Sequence, residues 1–157
     1  SACGFEPVYK NAPTSLNTNI TNTDQALRLI DVAVIPNREG QTLRNNLIDR
    51  FYKGGYPTNP EYRLNTSAVQ ETNVEIGIDI DDNASRAQLR QSIEFRLVRL
   101  SDNQVVLKRT VRATTGYNIL LGQFTTFVTE NDARNQGIRT LSEDITTQLE
   151  LYFSRES

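Results

Sequence analysis

The sequence predicts an α+β fold: a two-layer sandwich with two helices packed on one face of a four-stranded, mostly antiparallel (mixed) sheet. Three observations predict it. Apolar residues recur at intervals of three and four in two stretches, and at intervals of two in the stretches between them. Turn-forming residues separate these stretches. Each element has only one apolar face, and two layers are the simplest way to bury all of them.

In chain order, residues 1–25 are rich in Asn, Thr, Ser and Pro, and read as an extended segment or loop. Leu29, Val32, Val34 and Ile35 lie in an apolar, strand-like run from Leu27 to Ile35, which Pro36 ends. Asn37 is placed to cap a helix, with Glu39 in the first turn where the helix dipole favours an anion. Leu43, Leu47 and Phe51 then make one helical face, and Lys53-Gly54-Gly55 supplies a basic last turn and a left-handed stop. From Tyr62 to Ile80 the period falls to two. The alternation is cleanest at Val74, Ile76, Ile78 and Ile80, which predicts one long strand with room for an interruption near Gln70 to Asn73. A strand with Leu89, Ile93, Phe95 and Leu97 on one face follows, and Ser101-Asp102-Asn103 turns the chain back. Val105, Leu107, Val111 and Ala113 mark the last strand. A final helix is predicted from Thr129, with Asp132 completing an approximate capping box and Ile138, Leu141, Ile145, Leu149 and Tyr152 as its apolar stripe. The domain expectation is therefore a tether over 1–25 and a single sandwich domain over 26–157. The crossover helix after the first strand favours a parallel neighbour, hence a mixed sheet.

Composition narrows the chemistry. The 157 residues carry a net charge of -2, so the chain has no general attraction to nucleic acid or to anionic membranes. There is no His and only one Cys, which removes the usual serine and cysteine triads and most zinc sites. No metal and no cofactor is expected. Carboxylate chemistry, as in a glycan hydrolase, stays open in principle, although no pair of carboxylates is placed to argue for it. Asp79-Ile80-Asp81-Asp82-Asn83-Ala84-Ser85 resembles the start of a calcium loop. The sixth and twelfth positions, Ala84 and Arg90, lack the required Gly and Glu, so it reads as an acidic turn.

Two features remain as candidate sites. Ser1-Ala2-Cys3-Gly4 has the form of a lipobox end, in which Cys3 takes a thioether-linked lipid and becomes the anchor. The plainer reading is a free surface cysteine. Arg86, Arg90, Arg96, Lys108 and Arg112 fall on the sheet face away from the helices, where they could bind phosphate or carboxylate groups. The plainer reading is an ordinary solvated face, with Glu94 and Thr110 among them.

Several segments together resemble a known family. Cys3-Gly4-Phe5-Glu6-Pro7-Val8-Tyr9 is similar to the mature N-terminus of the lipopolysaccharide-assembly lipoproteins (the LptE family, rare lipoprotein B type), especially their alphaproteobacterial branch. Arg38-Glu39-Gly40-Gln41-Thr42-Leu43-Arg44-Asn45-Asn46-Leu47 resembles the family's first-helix segment. Tyr117-Asn118 and Glu130-Asn131-Asp132-Ala133-Arg134 resemble later landmarks, and Ile145, Leu149 and Tyr152-Phe153 its ending. Val8 departs from a common Leu, and Thr125 and Thr129 from a common Ala. The resemblance implies a two-helix, four-strand sandwich without enzymatic activity. It also implies lipid anchoring to the inner leaflet of the outer membrane, facing the periplasm. The implied partners are the LptD barrel, which such proteins plug and help to fold, and lipopolysaccharide itself. A general periplasmic lipoprotein that binds a small ligand or a transporter component is the alternative.

Overall fold

The computed structural model describes residues 18–53, 55–78, 85–119 and 123–156. The elements run α1 (Thr18–Arg28), β1 (Ile30–Val32), α2 (Asn37–Phe51), β2 (Tyr62–Thr66), β3 (Gln70–Ile78), β4 (Ser85–Arg99), β5 (Gln104–Ile119) and α3 (Gln123–Glu156). The sheet is mixed, as its sequence predicts: β1 is parallel to β2, and every other pairing is antiparallel.

The sheet has five strands rather than four, arranged in four rows. β2 and β3 both pair with the same edge of β4, β2 along Phe95–Arg99 and β3 along Ser85–Ser92. The break between them lies at 67–69, slightly earlier than predicted. Ser67 splices it: its N–H donates to the Glu94 carbonyl at 2.9 Å, and its hydroxyl accepts the Glu94 N–H at 3.1 Å. On the far edge of β4 lies β5, joined by a turn at 100–103 in which Asn103 has φ 55 and the Asp102 carboxylate accepts the Gln104 N–H.

Alternation sets the two faces. Ala87, Leu89, Ile93, Phe95 and Leu97 of β4 are buried, and the residues between them face away from the helices. Leu107, Val111 and Ala113 of β5 join the buried side, which α3 covers with Ile138, Leu141, Ile145 and Leu149. α2 adds Leu43, Leu47 and Phe51 over Ile30, Val32 and Leu64.

Several local expectations are corrected. β1 has three residues rather than nine, because Leu27 belongs to α1 and Val34 is 79% exposed. Tyr52 and Arg44 of the α2 region close the outer edge of β1. The Tyr52 hydroxyl accepts the Val32 N–H at 3.1 Å and donates to the Ile30 carbonyl at 2.6 Å, while Arg44 Nε donates to the Val32 carbonyl. Asn37 makes no capping hydrogen bond; it enters α2 with φ 70, a left-handed conformation that Asn tolerates. α1 occupies part of the Thr- and Asn-rich stretch read as a loop. Local propensity there is weak, and burial of Leu27 in the common core compensates for it. α3 begins six residues earlier than predicted and has 34 residues, so Thr129 lies within it and bonds the Thr126 carbonyl. In β3 the apolar alternation points the other way from the prediction. Val74 pairs with Gln88 on the helix-free face and Ile76 is 55% exposed, whereas Glu71 and Asn73 pair with Gln91 and Leu89 on the helix side.

Candidate functional site

The helix-free face of the sheet carries all five predicted cations. In the β4–β5 register, Arg86 lies opposite Asn118, Arg90 opposite Thr114, Ser92 opposite Arg112, and Arg96 opposite Lys108. Arg90 and Arg112 are thus diagonal neighbours on adjacent strands, close enough for one anionic group to meet both. Arg63 of β2 lies on the same face, beside Asp31 at 3.1 Å; the prediction did not include it, because β2 offers little periodicity.

Charge on this face is unevenly satisfied. Glu94 sits between Arg96 at 3.1 Å and Lys108 at 3.9 Å, so those two cations are largely neutralised. Among the described residues, neither Arg90 nor Arg112 has a carboxylate at salt-bridge distance; the Arg90 guanidinium donates only a long bond to Gln88 Oε1, at 3.5 Å. Planar guanidinium groups without a carboxylate partner suit bidentate phosphate or carboxylate groups. Cys3 lies outside the described residues, as does the acidic turn over 79–84.

A second constellation, on the helix side, escaped sequence reasoning. Arg134 of α3 is at its centre, with its side chain only 19% exposed. Its Nε donates to both Glu71 carboxylate oxygens at 3.0 Å, its Nη2 to Glu130 at 3.1 Å and its Nη1 to Asn131 Oδ1 at 3.1 Å. Glu39 of α2 approaches to 3.9 Å. Gln91, fully buried in β4, donates to Glu71 at 2.9 Å and to the Arg134 carbonyl at 3.3 Å. Asn73 donates to Glu130 and accepts the Tyr117 hydroxyl. Burial works against the Arg134 charge, but Glu71 and Glu130 outweigh it and push its pKa up, so the group stays cationic. Burial, then Glu130, raises the Tyr117 hydroxyl pKa. These carboxylates share one arginine, and the cluster ties β3, β4, β5 and the helices together.

Among the described residues no group of His, Cys, Asp or Glu could hold a metal ion. Two of the surface grooves among the described residues lie against α3. One, of about 580 Å³, runs between α2 and α3 past Arg38, Phe127, Asn131 and Arg139. The other, of about 420 Å³, lies between the start of β5 and the end of α3.

The model of the LptE family, described as lipopolysaccharide-assembly, matches residues 27–151. The chain belongs to the LptE family. In structure it is similar to a candidate lipoprotein from Caulobacter crescentus, with a TM-score of 0.67 at 17% identity over 85% of this chain and 97% of that one. It is also similar to a minor lipoprotein from Acinetobacter baumannii, with a TM-score of 0.55 at 18% identity over 78% of this chain and 88% of that one. At these identities the likeness shows the shared fold. No curated protein matches the sequence. LptE proteins form a non-enzymatic, outer-membrane-associated lipoprotein family of lipopolysaccharide assembly. No helix among the described residues is long and apolar enough to cross a membrane. Three segments that carry the sequence resemblance, around Arg38-Glu39, Tyr117-Asn118 and Glu130 to Arg134, converge on the Arg134 network. In this LptE chain those segments hold the sheet and helices in register.

Proposed function

We propose that this chain is an outer-membrane lipoprotein that plugs the LptD barrel, assists its assembly and contacts lipopolysaccharide on its way to the outer leaflet. Family membership supports the role in lipopolysaccharide assembly. In this reading Cys3 carries the lipid that anchors the protein to the inner leaflet of the outer membrane, where it faces the periplasm. The helix-free sheet face binds lipopolysaccharide through Arg86, Arg90, Arg96, Lys108 and Arg112. One observation carries that assignment: Arg90 and Arg112 stand diagonally adjacent on a solvent-facing sheet, with no carboxylate among the described residues to satisfy them. The polar lumen of a barrel suits a plug with this kind of charged, non-greasy exterior.

Two measurements test the reading. Changing Arg90, Arg96 and Lys108 to Ala is expected to weaken binding to purified lipopolysaccharide, and unchanged affinity removes the face from consideration. LptD is expected to co-purify with the native lipoprotein from outer membranes. A lipoprotein that never brings the barrel with it rules out the plug role. The α2–α3 groove of about 580 Å³ favours the alternative, a periplasmic lipoprotein that holds a small ligand. A ligand retained there in the absence of LptD would select that alternative.

A further inference from the structure

The longest strand of the sheet, β5, pairs with β4 on one side only, and no strand among the described residues takes its other edge. In an antiparallel strand alternate residues direct N–H and C=O away from the partner, so about half of the peptide groups along β5 point to this open edge. Natural edges are commonly shortened, interrupted by proline or covered. β5 has 16 residues and no proline, and its register shift lies near one end, at Leu97/Val98 of β4.

The edge runs beside the groove of about 420 Å³ that Leu107, Arg109, Leu151, Tyr152 and Arg155 help to line. Leu151, 46% exposed, offers apolar surface there. A strand added to β5 would place every second side chain over this groove and the others beside Lys108 and Arg112 on the opposite face. Cations outnumber carboxylates here. β5 contains Lys108, Arg109 and Arg112 and no carboxylate, and Arg155 stands across the groove beside Glu156, while Glu94 of β4 approaches Lys108 to 3.9 Å. Within β5 the guanidinium of Arg109 bonds only a backbone carbonyl, that of Lys108.

We propose that the open edge of β5 takes up an extended, acidic segment of a protein partner as a further strand, with apolar side chains in the groove and carboxylates against Lys108 and Arg112 on the opposite face. The cations also select against a second copy of this chain. Antiparallel self-pairing centred on residue 110 sets Lys108 opposite Arg112 and Arg109 diagonally against its own counterpart, which is destabilising. The proposal concerns the strand edge and stands whether or not the sheet face binds lipopolysaccharide.

The test uses the full chain, isotopically labelled, and a synthetic peptide of about ten residues that alternates Glu with Val, a length typical of a long strand. Hydrogen exchange of alternate β5 amides is expected to slow at least about tenfold with this peptide. Replacing Glu by Lys in the peptide, or N-methylating every second residue to remove its backbone donors, is expected to abolish the protection. Reversing Lys108, Arg109 and Arg112 to Glu in the protein is expected to weaken binding at least about tenfold. Because the peptide variants are tested on the unaltered chain, they decide the matter even if the reversed protein fails to fold. The proposal is overturned if the Lys peptide protects equally, if N-methylation has no effect, or if β5 amides are unaffected at saturating peptide. It is also overturned if the peptide-free chain sediments as a dimer with those amides already protected.

Discussion

Gln91 of β4 and Gly137 of α3 occupy one another's space: a Cβ at position 137 would overlap the Gln91 amide oxygen and crowd the Thr115 hydroxyl. Glycine is usually a poor choice in the middle of a helix, costing about 1 kcal/mol relative to Ala. Here it admits a fully buried polar side chain whose amide nitrogen holds both Glu71 and the Arg134 carbonyl. Gly137→Ala is therefore expected to destabilise the fold by about 1–3 kcal/mol despite its better helix propensity, because Gln91 must give up its bonds to move aside. In a Gln91→Ala background the same change is expected to be neutral or stabilising. Urea denaturation of the two single variants and the double variant measures this coupling. Simple additivity would show that the two residues do not compete for the same space.

Arg134 is the common partner of Glu71 and Glu130, and its removal leaves two partly buried carboxylates without their shared cation. Arg134→Met keeps much of the packing and removes the charge, and is expected to cost about 2–4 kcal/mol. Adding Glu71→Gln should recover part of that loss, since one of the stranded charges disappears. A thermal-unfolding series across the three variants checks it; a loss below about 0.5 kcal/mol for Arg134→Met would mean that the cluster is a solvated surface feature.

The contrast between these two clusters and the rest of the fold shows which parts of the structure were readable. The helical stripe from Ile138 to Leu149 and the alternation in β4 were legible because each element buries one continuous apolar face. β3 misled for the same reason. Its Val74 and Ile76 alternate cleanly, yet Val74 faces away from the helices and Ile76 is exposed at the register shift, while Glu71 and Asn73 turn toward the polar partners on α3. The hydrophobic pattern says which residues are alike, and which side they face depends on what the partner element offers. α1 was hidden by a Thr- and Asn-rich composition that only tertiary packing makes helical. The Arg134 network joins residues from five elements, and polar side chains at such separations leave no period in the sequence. On the sheet face, the positions of the cations followed from alternation in β4 and β5, but their partners did not. That Glu94 serves both Arg96 and Lys108 needs the strand register.

Tyr52 closes the outer edge of a three-residue strand with one hydroxyl, so its protonation is linked to folding. Burial raises its pKa above the ordinary value of 10.0, and the bond from the Val32 N–H only partly opposes this. For an acid whose folded-state pKa is raised, the stabilisation is complete below the unfolded value and is lost as pH climbs through the folded one. Stability is therefore expected to be level with respect to this group up to about pH 9 and to fall above about pH 10. Tyr52→Phe is expected to cost about 1–2 kcal/mol at neutral pH, by leaving the Ile30 carbonyl and Val32 N–H unpaired on that side, and to flatten the alkaline fall. Chemical denaturation from pH 7 to 11 compares the two proteins. Parallel curves would show that the hydroxyl is not linked to folding.

The division of the cationic face by Glu94 makes the last prediction a comparison of two pairs. Arg96 and Lys108 already share a carboxylate, so an incoming phosphate must compete with Glu94 for them. Arg90 and Arg112 face no such competitor among the described residues, and a single phosphate can meet both. The double variant Arg90→Ala with Arg112→Ala is expected to lower affinity for lipopolysaccharide at least about tenfold, and Arg96→Ala with Lys108→Ala by about threefold or less. Neither pair should shift stability by more than about 0.5 kcal/mol, since all four side chains are exposed and lie outside the core. Adding Glu94→Gln should separate electrostatics from shape: with the carboxylate gone, Arg96 and Lys108 become available and binding should tighten. Affinity measured on immobilised lipopolysaccharide at low and physiological salt reads all of these effects. Equal losses from the two pairs, with no gain from Glu94→Gln, would show that contact with this face does not depend on which cations are free.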